Sequence, residues 1–296
     1  MIIPSYRASA TIAETLRSVE ACREFTDAKF DITVVDSSPD GDPTREIVRS
    51  VGFDVRLIEL PERAFPGRGR NVGVAETKGD VLCFIDADAV ADNRWIKAIS
   101  DAFKEKPDID SFGGPVLNGN PTDNYSWLAH WCEFSGYGKN APEGPRRVQP
   151  TVNVAIRRTA FEKYGPFLED QFGNEDVLLF QRMKNNGSSL YFQRAQIVYH
   201  KNKTELEEIF SHQRKLGEST GIARVKYDLP GSFLQTPSMS WLIPLVKTHF
   251  VGYRLLTQET GEFGRFLVKW PLVFRAMNYF YIGFKDGVRI AKEGKK

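Results

Sequence analysis

Apolar and polar positions in the first hundred residues fall into blocks whose period changes from one block to the next. Ile2-Ile3 is a short apolar start, and residues 11–19 carry Ile12, Leu16 and Val19 at helical spacing. Residues 30–36 (FDITVVD) read as a buried strand, followed by the turn residues Ser38-Pro39-Asp40-Gly41-Asp42-Pro43 and a helix from Thr44. Residues 55–60 give a third strand, and residues 69–75 open another helix. The strongest strand is 80–86, whose unbroken run Val81-Leu82-Cys83-Phe84-Ile85 suits a central parallel position. Strands alternating with helices predict an α/β fold, a parallel sheet with helices on both faces.

After Pro115 the pattern loosens. Residues 133–150 are rich in Gly, Pro and charge, and read as a long mobile loop, a length common among lids and binding loops. Order returns over 151–200, with helices near 158–164 and 175–184 and a strand at 195–200. A polar helix is expected over 205–216, a second flexible stretch over 217–237, and an aromatic, basic, helical segment beyond. The expected division is 1–115, 116–237 and 238–296.

Composition narrows the class. With 296 residues, 41% hydrophobic and 26% charged, the chain has an ordinary globular mix. Its formal charge of +2 excludes a dedicated nucleic-acid binder, which would be markedly basic. That total hides an asymmetry: residues 1–200 hold 24 basic and 29 acidic side chains, whereas residues 201–296 hold 16 and 9. Cys22, Cys83 and Cys132 form neither a C-x-x-C pair nor a disulfide framework. With no leader pattern at the start and no apolar run of membrane-spanning length, a cytoplasmic setting is expected.

Five polar groups carry candidate chemistry. Asp86 and Asp88 close the strongest strand in Phe84-Ile85-Asp86-Ala87-Asp88, where a doubly wound sheet binds ligands. A D-x-D pair suits Mg²⁺ or Mn²⁺ shared with phosphates, although an aspartate there also caps a following helix. Asp36 ends the second strand, where an acidic residue can contact a ribose or base; turn chemistry explains it equally. Arg68, Arg70 and Asn71 sit at a helix start, where cations oppose the dipole and an anionic ligand would favour them; a solvated basic loop explains them equally. Glu175-Asp176 opens a helix and offers a general base with a partner, or ordinary charge complementation. His200 closes an apolar strand as a metal ligand or a packed histidine.

As an ordered set these segments resemble the family-2 inverting glycosyltransferases. The resemblance runs through Ile2-Ile3-Pro4-Ser5-Tyr6, Val34-Val35-Asp36, Gly69-Arg70-Asn71-Val72-Gly73 and the Asp86-Ala87-Asp88 strand. It continues through Asn153-Val154-Ala155-Ile156-Arg157-Arg158, Gly165-Pro166-Phe167, Gly173-Asn174-Glu175-Asp176 and Val198-Tyr199-His200, covering residues 1–200.

The resemblance implies a GT-A fold, a Rossmann-like mixed, mainly parallel sheet, and sugar transfer from a nucleoside-diphosphate donor to a glycan or lipid-linked acceptor. It places Pro4, Ser5 and Tyr6 against the nucleotide, Asp36 on the base and Arg70 near base or phosphate. Asp86 would face ribose and metal, and Asp88 would ligate a divalent Mn²⁺ or Mg²⁺, with His200 a further ligand in some members. Asp176 matches the general base, with Glu175 beside it. Members often carry two consecutive aspartates where this chain has Asp36-Ser37, which leaves the base open. The processive signature Q-x-x-R-W is absent from Ser211-His212-Gln213-Arg214-Lys215-Leu216, which disfavours a polymerase. His212, Arg214 and Lys215 are either a clasp on the diphosphate or a solvated helix face.

Residues 263–291 interleave Phe, Trp and Tyr with Lys269, Arg275, Lys285 and Arg289. This suits contact between 238–296 and an anionic membrane surface, at the inner face of the membrane; a packed helical pair is the alternative. Two other functions compete with transfer: a non-catalytic nucleotide-sugar or carbohydrate-binding module, and a sugar nucleotidyltransferase. The second lacks a Gly-rich phosphate loop near residue 10, and the joint presence of Asp86, Asp88 and Asp176 disfavours the first.

Overall fold

The apolar blocks of the sequence become short strands joined by helices. The computed structural model describes residues 1–227, 229 and 231–294. In chain order the elements are β1 (Ile2–Ser5), α1 (Ile12–Ala21), β2 (Thr33–Asp36), α2 (Thr44–Arg49), β3 (Arg56–Glu59), α3 (Pro66–Ala75), β4 (Val81–Ile85) and β5 (Ala89–Ala91). They continue with α4 (Trp95–Glu105), β6 (Ser111–Gly113), β7 (Val116–Asn118), α5 (Ser126–Phe134), β8 (Gly144–Pro145), β9 (Asn153–Arg157), α6 (Arg158–Tyr164) and α7 (Glu175–Asn185). The last are β10 (Leu190–Phe192), β11 (Val198–His200), α8 (Leu206–Tyr227), α9 (Pro237–Ser240), α10 (Ile243–Gln258) and α11 (Thr260–Glu293).

The chain divides into two compact units. The first comprises Met1–Gly119, Pro142–Gln171 and Glu175–Lys201; the second comprises Asn120–Ala141, Phe172–Asn174 and Asn202–Lys296. An eight-stranded sheet in the first unit has the order β3-β2-β1-β4-β9-β6-β10-β8. Strands β1, β2, β3 and β4 are mutually parallel, and β9 runs antiparallel between β4 and β6. The sheet is therefore mixed and mainly parallel, as the pattern predicts. Ile2, Phe84, Val154, Phe161, Phe167 and Phe180 share its largest apolar cluster. Helix α3 lies close on the sheet because Gly73 faces Ile2: a Cβ there would stand 2.4 Å from the Ile2 Cγ2.

A second, three-stranded sheet has the order β5-β11-β7. Its antiparallel register sets His200 opposite Ala89, and the Lys201 amide donates to the Asp88 carbonyl at 2.8 Å. This short sheet is what carries the end of β11 to the Asp86–Asp88 segment.

The second unit is helical. Trp131 of α5, Phe210 of α8, Val251 of α10, and Phe266 and Met277 of α11 share one apolar cluster. The expected flexible stretch over 217–237 is in large part ordered: α8 continues to Tyr227, and Asp228 and Pro230 lie outside the described residues. The reason is close approach. A Cβ on Gly217 would stand 1.9 Å from the Phe280 carbonyl oxygen, and one on Gly283 1.9 Å from that of Arg214. Gly221 and Gly287 repeat the contact one turn on, so glycines that read as breakers are the points where two helix backbones touch. The later part of α11 is consequently packed, with Gly283, Phe284, Gly287 and Val288 all buried. The expected loop over 133–150 starts within α5 and contains β8, which pairs with β10. Lys295 and Lys296, the end of the expected extension, lie outside the described residues.

Candidate functional site

The strand order reverses about β1, and the carboxyl ends of β1, β2 and β4 border the crevice where doubly wound sheets take ligands. Ser5 ends β1, Asp36 ends β2, and Asp86 follows β4 directly.

Arg70 organises this edge. It lies on α3 with only 2% of its side chain exposed, and its two Nη atoms divide between two carboxylates. Nη1 donates to Glu175 Oε1 at 2.6 Å and Nη2 to Asp86 Oδ1 at 2.7 Å. Burial works against the guanidinium charge, but Asp86, Glu175 and Asp176 more than offset it and hold its pKa above the ordinary value. Neither Arg70 Nε nor Glu175 Oε2 has a hydrogen-bond partner among the described residues, though both are buried.

Asp176 follows Glu175 in the first turn of α7, and its Oδ1 accepts the Val177 amide at 2.7 Å. Desolvation first, and then the charge of Glu175, push its pKa up from 3.8 to about 7, against the opposing pull of that amide and of Arg70. Three carboxylates thus lie within the field of one buried cation.

Beside this group, His200 Nε2 stands 3.4 Å from Asp88 Oδ1, with the Asp88 side chain 43% exposed. Adjacent ligands of a six-coordinate Mg²⁺ or Mn²⁺ stand about 3 Å apart, so an imidazole and a carboxylate at this spacing fit two positions of one ion. Asp86 is turned to Arg70 through Oδ1. Among the described residues no group of three or more His, Cys, Asp or Glu side chains forms a metal cage. The donor set is thus a partial one, of the kind that hard cations complete with phosphate oxygens and water.

The residues expected on the nucleotide divide into two kinds. Pro4 packs under α3, where a Cβ on Gly69 would meet the Pro4 Cβ at 3.2 Å. Ser5 Oγ is buried without a hydrogen-bond partner among the described residues. Tyr6 has two guanidiniums near its ring, Arg63 Cζ at 4.7 Å and Arg7 Cζ at 5.5 Å from the ring centre. Asp36, by contrast, is sealed: its Oδ1 accepts the Ser38 hydroxyl at 2.8 Å, and its Oδ2 accepts the Ser38 amide and Arg45 Nε, both at 3.0 Å. Its side chain has no exposed surface, so contact with a base requires that cap to open.

In the helical unit, His212 Nε2 stands 3.3 Å from Glu133 Oε2, and Arg214 donates to Asp286 at 2.9 Å. Asn174, at a positive φ of 66°, donates to Ser219 and Thr220 of α8.

Two contributors escaped the sequence reading. Arg45 caps Asp36 from α2, and Arg63 covers Tyr6 from the loop after β3. Placement after a parallel strand was the available signal for Arg63; for Arg45 the sequence shows only an ordinary helical arginine.

Comparison with known proteins bears on family and fold. The family model described as Glycosyl transferase family 2 matches residues 1–165. Glycosyltransferase AglE of Haloferax volcanii is 26% identical over 226 residues, covering 74% of this chain and 71% of that protein. Mannosyltransferase PcManGT from Pyrobaculum calidifontis, solved with GDP-Man and Mn²⁺, superposes with a TM-score of 0.65 at 17% identity, over 97% of this chain and 86% of that one. The S. aureus TarS 1–349 structure with UDP-GlcNAc gives 0.56 at 16% identity, over 99% and 91%. At these identities the structural likeness is one of fold.

Proposed function

The chain belongs to glycosyl transferase family 2, and we propose that it moves a sugar from a nucleoside diphosphate to an acceptor hydroxyl with inversion at the anomeric carbon. Glycosyl transfer follows from membership; inversion, the metal and the identities of donor and acceptor belong to the proposal. The observation that supports it best is the Asp176 carboxyl at the mouth of the parallel sheet, raised to about 7 beside a buried Arg70–Glu175 pair. A carboxyl in that range is matched to removing a hydroxyl proton near neutral pH.

In this reading Asp176 takes the acceptor proton as the acceptor oxygen bonds to the anomeric carbon and the bond from that carbon to the diphosphate oxygen breaks. One displacement on the opposite face inverts the centre, so no covalent nucleophile is required. Arg70 fixes Asp86 and Glu175 and thereby orients the start of α7. The free Oε2 of Glu175 is available to a sugar or acceptor hydroxyl. Asp88 and His200 would hold a divalent cation, which when bound offsets the charge gathering on the departing diphosphate. Tyr6, with Arg7 and Arg63 against it, offers a cationic, aromatic surface to a nucleoside. A glycan or lipid-linked hydroxyl compound is the acceptor class carried by this reading.

The test is transfer from a panel of UDP- and GDP-sugars, with the anomeric configuration of the product read by proton NMR. Inversion with loss of turnover in Asp176→Asn is expected. Retention of configuration, or full turnover by that variant, overturns the mechanism.

A further inference from the structure

Helix α10 is apolar on both sides. Its inner face buries Ile243, Val251 and Leu255, the last two within the helical unit's cluster. Its outer face carries Leu245, Val246, Phe250, Tyr253 and Leu256, each between 43% and 55% exposed. At helical spacing these five fall on one arc, which within α10 also holds His249 and Thr257 and is bordered by Arg254. An exposed apolar arc of this extent marks a contact with a partner or lipid rather than an ordinary water-facing surface.

The neighbouring exposed surface continues the pattern. Trp241 precedes α10 at 55% exposure, and Leu267, Val268 and Trp270 lie exposed on the first half of α11. Thirteen of the sixteen exposed large apolar side chains among the described residues lie between 233 and 290. Charge then selects the occupant. Residues 238–258 contain no Asp or Glu; His249 and Arg254 are exposed and basic and Lys269 borders the α11 patch, whereas Lys247 points inward over the buried Phe280 ring and Arg265 is paired with Glu262. A second copy placed face to face would set these cations against their own kind. Anionic headgroups complement them, and Trp and Tyr beside Leu, Val and Phe are the composition of an interfacial helix. None of the described helices is long and apolar enough to cross a bilayer.

We infer that the outer face of α10, continued by Leu267, Val268 and Trp270, is a docking surface for an anionic phospholipid bilayer, with α10 lying in the headgroup plane. The sequence reading placed such contact in 238–296, citing the composition of 263–291; within that range it is α10 and the start of α11 that face outward, because the later part of α11 is held against α8. The surface lies wholly in the helical unit and stands independently of the catalytic reading.

Co-sedimentation of the full chain with phosphatidylcholine vesicles, with and without phosphatidylglycerol, tests this at low and at high salt. Binding to the anionic vesicles alone, weakened by salt, is expected. Phe250→Glu and Leu256→Glu should each lower the partition about tenfold, and Ile290→Glu, at the far end of α11, should leave it unchanged. All three positions are exposed, and unchanged circular dichroism and donor turnover verify folding. Failure of the wild type to pellet with anionic vesicles at low salt overturns the inference, as does equal pelleting by the Glu variants. A wild-type dimer that both variants convert to a monomer, with vesicle partition unchanged, also overturns it and assigns the face to a second copy.

Discussion

Arg70 and Glu175 lie 105 positions apart in the sequence and meet at 2.6 Å inside the first unit, with the second arm of the same guanidinium on Asp86. This pair ties the end of β4, helix α3 and the start of α7 into one charged cluster. Removing one partner strands a buried charge, at a cost of about 3–5 kcal/mol. Arg70→Ala should therefore lower Tm and, by loosening Asp86 and the start of α7, reduce kcat about a hundredfold. Arg70→Lys should rescue stability in part but little activity, since one ammonium cannot fork between two carboxylates. Arg70→Ala, which loses the cation, should also move the Asp176 titration above 7, whereas Arg70→Lys keeps the charge and a profile near the wild type's, so the two pH profiles together distinguish an electrostatic and positioning role from a purely structural one.

The pH dependence of wild-type turnover follows from Asp176. As a base it acts when ionised, so kcat/KM should rise through about pH 7 and level off above it. Asp176→Asn should lower kcat by about 10²–10⁴ while nucleotide binding is largely spared.

Stability has the opposite sign. In the folded chain Asp176 keeps a proton that the unfolded chain releases above 3.8. The stabilisation from the protonated form is complete below 3.8 and is lost as pH rises through about 7. Asp176→Asn should thus be more stable than the wild type at pH 8, by on the order of 1–3 kcal/mol, and close to it at pH 4. Thermal melts at the two pH values measure this, and equal melts at pH 8 would count against the burial of an ionised carboxylate.

Asp88 and His200 make a prediction about the metal that does not depend on catalysis. Calorimetric titration of UDP and GDP should show binding strengthened by Mn²⁺ and weakened by EDTA. Asp88→Ala should remove the Mn²⁺ increment, and His200→Asn should reduce it about tenfold or more. Indifference of wild-type nucleotide binding to Mn²⁺ would remove the metal from the proposal.

The helix pair α8–α11 separates two kinds of glycine. Gly283→Ala drives a methyl group into the Arg214 carbonyl and should destabilise by about 1–3 kcal/mol. Gly264→Ala, in the same helix with open space around it, should stabilise by about 0.5–1 kcal/mol through helix propensity alone. Chemical denaturation of both variants gives the comparison.

The alternating sheet was legible because its strands are short apolar runs at fixed period, and β2, β3 and β4 lie within the expected stretches. The candidate site was legible as an ordered set of motifs, since strand ends in such a sheet converge whatever the rest of the chain does. Burial was not. Asp36 reads as an exposed turn acid, but Arg45, nine residues on, closes over it; nothing local marks that arginine. Arg70 reads as a free cation, although its two carboxylate partners stand 16 and 105 positions away. Gly217 and Gly221 read as breakers because a glycine that permits backbone contact has the same letter as one that ends a helix. Only their spacing of four, matched by Gly283 and Gly287, carries the distinction.

The sealing of Asp36 has a consequence for how such a protein changes its donor. With that carboxylate committed to Ser38 and Arg45, the proposed transfer would leave discrimination between nucleobases to other groups, such as the exposed Arg63 against Tyr6, unless the cap opens. An exposed arginine can be replaced without disturbing any buried contact. Under the proposed function, base preference would then be a superficial trait, open to revision by one or two surface substitutions while the buried charged cluster around Arg70 stays intact.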